Sequence, residues 1–172
     1  LLNKKKKILV DLIDTGKNSG TGGRIKQAYH KLFLNEDFIA TYGDGLSNIS
    51  IKKLIKFHYD NKASLTLTAV RPKQRYGVLK ISQNKVKYFD NSKNKSDVYI
   101  NGGFFVISKK IIKLIKNYKI YIENEPFKKI LKKKELYSFK HEGFWTSIDT
   151  LKDKNDLEKI VKSRKKLPWK VI

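Results

Sequence analysis

Asp44 stands between two glycines in TYGDGLSN (41–48), at the end of the apolar run FIATY. Asp and Gly both form turns readily, so the segment first reads as a β-turn. A carboxylate at a strand end is also a hard oxygen donor. Mg²⁺ takes one or two such groups from protein and keeps several waters. One carboxylate rarely suffices, and a second candidate lies far along the chain. Asp149, in GFWTSIDTLKD (143–153), follows an apolar aromatic run and precedes a helical stretch. Its ordinary role there would be a helix N-cap. A third stretch, SGTGGRIK (19–26), could present backbone N–H groups to an anion at the positive end of a helix, with Arg24 adding a guanidinium. No GK[ST] follows, so it is not a P-loop. Its ordinary alternative is a structural glycine turn.

These three stretches must be carried by strands and helices. In open α/β sheets, ligands sit beyond the carboxyl ends of strands, and all three fall at such places. KKILVDLID (6–14) reads as a strand rich in branched residues, and TGKNSGTGG (15–23) as a glycine-rich loop. Ile25, Ala28, Tyr29 and Leu32 then keep helical spacing. DFIATY reads as a strand. SIKKLIKFHYDNKA (50–63) reads as a helix with Ser50 as N-cap and Ile51, Leu54, Ile55 and His58 on one face. That placement makes His58 a partly buried helix residue rather than a ligand.

Further strands are expected at SLTLTAV (64–70), YINGGFFVIS (99–108) and ELYSFKH (135–141). YGVLKIS and KVKYFD form a hairpin around Gln83 and Asn84. Two short helices, KKIIKLIKN and EPFKKILKKK, and a final amphipathic helix, DTLKDKNDLEKIVKSRK, complete the pattern. Pro126 suits the first turn of its helix. Strands alternating with helices predict one α/β domain over 1–172, with a mixed, mostly parallel sheet flanked by helices.

Composition narrows the chemistry. The 172 residues include no cysteine, which excludes disulfides and Cys-ligated metals. There is no methionine and no stretch approaching a membrane span, so a soluble cytoplasmic protein is expected, with no membrane partner. The net charge of +23 raises a nucleic-acid reading. Only Arg24, Arg71, Arg75 and Arg164 are arginines, however, and the lysines are spread along the chain. Base readers and bidentate phosphate binders favour arginine, so nucleic acid is not the expected partner.

The order DTG…TGGRIK, TYGDG, RYGVLKI, INGGFFVI, ENEPF, GFWTSIDTLKDKNDLE and a closing PWK resembles the sugar-phosphate nucleotidylyltransferases. The resemblance covers nearly the whole chain. It implies a Rossmann-like nucleotide-diphospho-sugar transferase fold and Mg²⁺-dependent nucleotidyl transfer, with CTP and glucose 1-phosphate the implied substrates. Asp44 and Asp149 would be the metal carboxylates. Thr21, Gly22, Gly23 and Arg24 would lie against the nucleotide. Gly77, Asn101 and Gly102 would meet the sugar phosphate, where a strand without Cβ atoms allows close approach. A homo-oligomer is compatible with this reading.

Two departures from the family pattern stand out. A GGxGTR-type loop and a KPK-type segment, which hold the triphosphate, do not occur in the sequence. The chain is therefore read as the C-terminal portion of a longer protein, lacking the first βα units and inactive alone. The family's EKP motif falls on Asn91, Ser92 and Lys93. Lys93 is the candidate replacement cation, provided that 90–97 is irregular enough to turn it toward the sugar phosphate. A related enzyme with another base or sugar, or a non-catalytic binding remnant, remains an alternative.

Overall fold

A computed structural model of the chain describes residues 9–72, 78–90, 98–163 and 167–169. Its elements are α1 (Thr21–Lys31), β1 (Phe38–Ala40), β2 (Gly45–Ser47), α2 (Ile51–Asp60), β3 (Leu65–Val70), β4 (Val78–Ser82), β5 (Lys85–Asp90), β6 (Ile100–Ile107), a 3-10 helix (Lys109–Leu114), α3 (Glu125–Lys132), β7 (Leu136–His141), β8 (Trp145–Ser147) and α4 (Leu151–Lys162). The α/β class and the mixed sheet are as expected.

The main sheet has the order β1-β6-β3-β7. Only β3 and β7 pair in parallel; β6 runs antiparallel to both β1 and β3. The expectation of a mostly parallel sheet is thus corrected at the level of pairing. Strands β1, β3 and β7 do share one direction, but β6 lies between two of them and reverses their ladders. Neither strand spacing nor composition reports that insertion.

The sheet is covered on both faces, and β3 is accordingly buried almost throughout. Leu65, Phe105 and Ile107 pack with Ile111, Ile122 and Ile130. On the other side, Leu54 of α2 and Ile49 pack against Val106. Helix α2 starts where Ser50 accepts a hydrogen bond from the Lys53 backbone, an N-cap worth about 1 kcal/mol. His58 is 1% exposed, with Nδ1 2.9 Å from Thr66 Oγ1. Its expected structural role is the observed one. Gln83 and Asn84 both have positive φ, 47° and 62°, as a two-residue hairpin turn requires.

Three other expectations are corrected. Residues 9–14 form no strand, and Leu9, Val10 and Leu12 are exposed. A strand needs a neighbouring ladder, and none pairs with this segment among the described residues. The glycine-rich segment is not all loop, because α1 already begins at Thr21. The helix expected at KKIIKLIKN winds as a short 3-10 helix.

Candidate active site

The two short strands β2 and β8, which sequence reading did not find, build the site. They pair antiparallel with Gly45 opposite Ser147. Beyond that pair, the Ile148 N–H donates to the Asp44 carbonyl at 3.0 Å. Asp44 and Asp149 therefore flank one end of the same small ladder, and both line a cavity of about 570 Å³. Asp149 is not the helix cap. Thr150 caps α4, and its side chain and backbone exchange hydrogen bonds with Asp153 in a capping box. The Ser147 hydroxyl donates to Asp149 Oδ2 at 2.6 Å and orients that carboxylate.

The opposite wall comes from the main sheet. Asn101 and Gly102 of β6 line the cavity, with Tyr42 and Trp145. Trp145 Nε1 donates to the Gly102 carbonyl at 2.8 Å, tying β8 to β6. An added Cβ at Gly102 would stand 2.8 Å from Val70 Cγ1. Gly103 has φ +80°, and a Cβ there would lie 2.3 Å from the Tyr42 ring. The Tyr42 ring thus packs directly on the glycine backbone, with Phe105 edge-on at 5.6 Å.

The donor set facing the cavity suits a hard cation. Among the described residues it offers two carboxylates and no thiolate or imidazole. Among the described residues, no group of three or more His, Asp or Glu could enclose an ion alone. Two protein carboxylates, with water and phosphate oxygens for the remaining positions, is a coordination pattern characteristic of Mg²⁺.

Thr21, Gly22, Gly23 and Arg24 lie apart from this cavity's lining. Gly22 and Gly23 are pressed onto the backbone of residues 118–122; a Cβ at Gly23 would sit 1.8 Å from the Tyr118 carbonyl oxygen. The Gly20 and Gly23 N–H groups donate to the Tyr118 and Ile120 carbonyls. These glycines let the helix start approach another backbone. Arg24 donates to Thr15 Oγ1 and the Lys17 carbonyl, bracing the loop before α1. Gly77 and Lys93, with the irregular segment expected at 90–97, lie outside the described residues apart from Asp90, the last residue of β5.

Thr21 nevertheless connects to the cavity wall through Glu123. Its hydroxyl donates to Glu123 Oε2 at 2.8 Å, and the Tyr42 hydroxyl donates to Glu123 Oε1. Burial, then the neighbouring Glu123 carboxylate, pushes the Tyr42 phenol well above its usual range. Tyr42, Glu123, Trp145 and Ser147 are the site residues that sequence reading left unassigned. The signals were faint: Tyr42 adjoins the GDG turn, and Glu123 opens the ENEP run.

No protein-family model matches the chain. It is 41% identical over 161 residues to the glucose-1-phosphate cytidylyltransferase of Salmonella typhi, covering 94% of this chain and 62% of that protein. It is 30% identical over 141 residues to mannose-1-phosphate guanyltransferase 2 of Candida glabrata, covering 78% of this chain and 39% of that one. The chain therefore spans about three fifths of the length of its cytidylyltransferase relative. Its fold matches a Bacillus anthracis protein assigned as a glucose-1-phosphate thymidylyltransferase and crystallised with sucrose, at TM-score 0.64 and 16% identity, over 88% of this chain and 64% of that one. HddC from Yersinia pseudotuberculosis matches at TM-score 0.59 and 27% identity, over 84% and 64%.

Proposed function

Because the chain belongs with the sugar-phosphate nucleotidylyltransferases, we propose that it carries the metal and sugar-phosphate half of an enzyme making CDP-glucose from CTP and glucose 1-phosphate. A phosphate oxygen of the sugar phosphate attacks the α-phosphorus of CTP in line. The bond from that phosphorus to the α,β-bridging oxygen breaks, and pyrophosphate leaves. Such transfer rests on positioning and charge neutralisation, not on a protein nucleophile. That fits a cavity whose described lining bears two carboxylates and no Cys, His or Lys, with Ser147 engaged by Asp149.

The observation that carries this reading is the β2–β8 ladder, which brings Asp44 and Asp149 to one cavity from opposite ends of the chain. The two residues would hold a Mg²⁺, which supplies positive charge against the phosphate oxygens. Ser147 keeps Asp149 in orientation. Asn101 and Gly102 form the wall against which the sugar phosphate would lie, and Thr21 to Arg24 are assigned to the nucleotide side by family likeness. Lys93 is the proposed partner of the sugar's phosphate in place of the family lysine.

The test uses the protein expressed from its complete open reading frame, with CTP, glucose 1-phosphate and Mg²⁺, and pyrophosphate release as readout. Asp44→Asn and Asp149→Asn should each lower kcat by ~10²–10³, the loss typical of one preorganised electrostatic contact. Undiminished turnover in either variant would remove that residue from the metal site. The likeness to a guanyltransferase favours a second reading, the same chemistry with another base and sugar. Comparing CTP with GTP and glucose with mannose 1-phosphate in the same assay separates the two. Absence of turnover with every pair would favour a non-catalytic binding role.

A further inference from the structure

Glu123 holds three separate elements together, and its position sets a demand that only a carboxylate meets. The Thr21 hydroxyl accepts the Ile122 N–H at 3.0 Å, so its own proton points onward to Glu123 Oε2. Asn101 Oδ1 accepts the Gly103 N–H at 3.0 Å, which turns the Asn101 amide nitrogen toward the Tyr42 oxygen at 3.2 Å. The Tyr42 hydroxyl, now an acceptor, directs its proton to Glu123 Oε1. Two chains of hydrogen bonds, each started by a backbone N–H, therefore end on one side chain. That side chain must accept at both oxygens. A glutamine of the same size offers one accepting oxygen and sets an NH₂ against the other donor.

We propose that Glu123 is a positioning residue, whose carboxylate fixes the Tyr42–Asn101 wall of the cavity against the start of α1. Tyr42 also adjoins the Gly43–Asp44 turn, so the wall and the Asp44 carboxylate share one anchor. The consequence for catalysis rests on the nucleotidyl-transfer reading. The mechanical coupling does not, because it follows from donor and acceptor roles alone.

The variants are Glu123→Gln, Tyr42→Phe and the pair, in the protein from its complete reading frame. Tyr42→Phe removes one hydroxyl and leaves the ring packing, so it keeps a folded comparison available if Glu123→Gln fails to fold. Hydrogen exchange, read without any ligand, should rise about tenfold in residues 41–45 and 100–104 of Glu123→Gln and stay unchanged in α4. Unchanged exchange at 41–45 and 100–104 would overturn the coupling. In the transfer assay, KM for glucose 1-phosphate should rise in both Glu123→Gln, about tenfold, and Tyr42→Phe, whereas KM for CTP should rise only in Glu123→Gln, which also releases Thr21. Tyr42→Phe should add little in the Glu123→Gln background, since the hydroxyl has already lost its acceptor. Equal shifts of both KM values in Tyr42→Phe, or fully multiplicative variants, would mean a general structural role and sink the proposal. An unmutated protein without transfer activity would instead count against the proposed function, and the exchange measurement would still decide the coupling.

Discussion

At the scale of single residues, the site depends on close approaches that few side chains permit. Gly103 shows this most clearly, because space and conformation both demand glycine there. Its φ of +80° is strained for any other residue, and a Cβ would stand 2.3 Å from the Tyr42 ring. Gly103→Ala should therefore cost about 1–3 kcal/mol from backbone strain, before any ring displacement. It should also displace Tyr42 from the cavity wall. Denaturant unfolding gives the first quantity, and hydrogen exchange at 41–45 reports the second. A variant as stable as the parent would show that Tyr42 does not need the glycine backbone against its face. Asp149 illustrates the opposite economy. Thr150 and Asp153 complete the helix cap between themselves, so the carboxylate one residue earlier is turned to Ser147 and the cavity.

At the scale of elements, α2 docks on the sheet through apolar contacts and a buried polar pair. Leu54 and His58 are its fully buried residues, and His58 meets Thr66 of β3. Burial pushes the His58 pKa below its usual value; the opposing pull of Asp37 does not overcome it. The folded state therefore prefers neutral His58, whereas the unfolded chain takes up a proton near pH ~6.5. Stability from this group is fully present above that pH. It is lost as pH falls from there through the lower folded-state pKa. Thermal midpoints between about pH 7.5 and 5 should fall on the acid side, and His58→Gln should flatten that fall. An identical pH profile in the variant would show that His58 does not carry the dependence. The small β2–β8 ladder matters in another way. Its strands span three residues each, and its registry determines that two distant aspartates share a cavity.

At the scale of the whole molecule, charge dominates. A net +23 on 172 residues gives the chain a strongly positive field. Such a field attracts polyanions such as nucleoside triphosphates and raises their local concentration. Salt shortens its reach, to about 8 Å at physiological ionic strength. On the proposed function, KM for CTP of the protein from its complete reading frame should therefore climb with added NaCl, while kcat changes much less. Initial rates across a salt series check this. A salt-independent KM would mean that the lysines serve solubility alone. Among the described residues no helix is long and apolar enough to cross a membrane.

The sequence by itself determined whatever is settled within a few residues of chain. Ser50 caps α2 because its hydroxyl reaches the Lys53 N–H in the next turn. Gln83 and Asn84 turn the β4–β5 hairpin because a two-residue loop needs positive φ. His58 lies on the buried face of α2 because helical spacing places it with Leu54. The ordered motifs also carried the family likeness, and through it marked Asp44 and Asp149 as carboxylates to seek at one cavity. Tertiary structure alone decided the rest. The antiparallel entry of β6, the bare residues 9–14, and the β2–β8 pairing depend on which distant segment supplies the other half of a ladder. Whether the TGG glycines faced an anion or made a structural turn stayed open in the sequence; the fold presses them onto the backbone of residues 118–122. Glu123 stood in the sequence only as the first residue of ENEPF, with no role assigned, because its two partners, Thr21 and Tyr42, become neighbours only after the chain has folded.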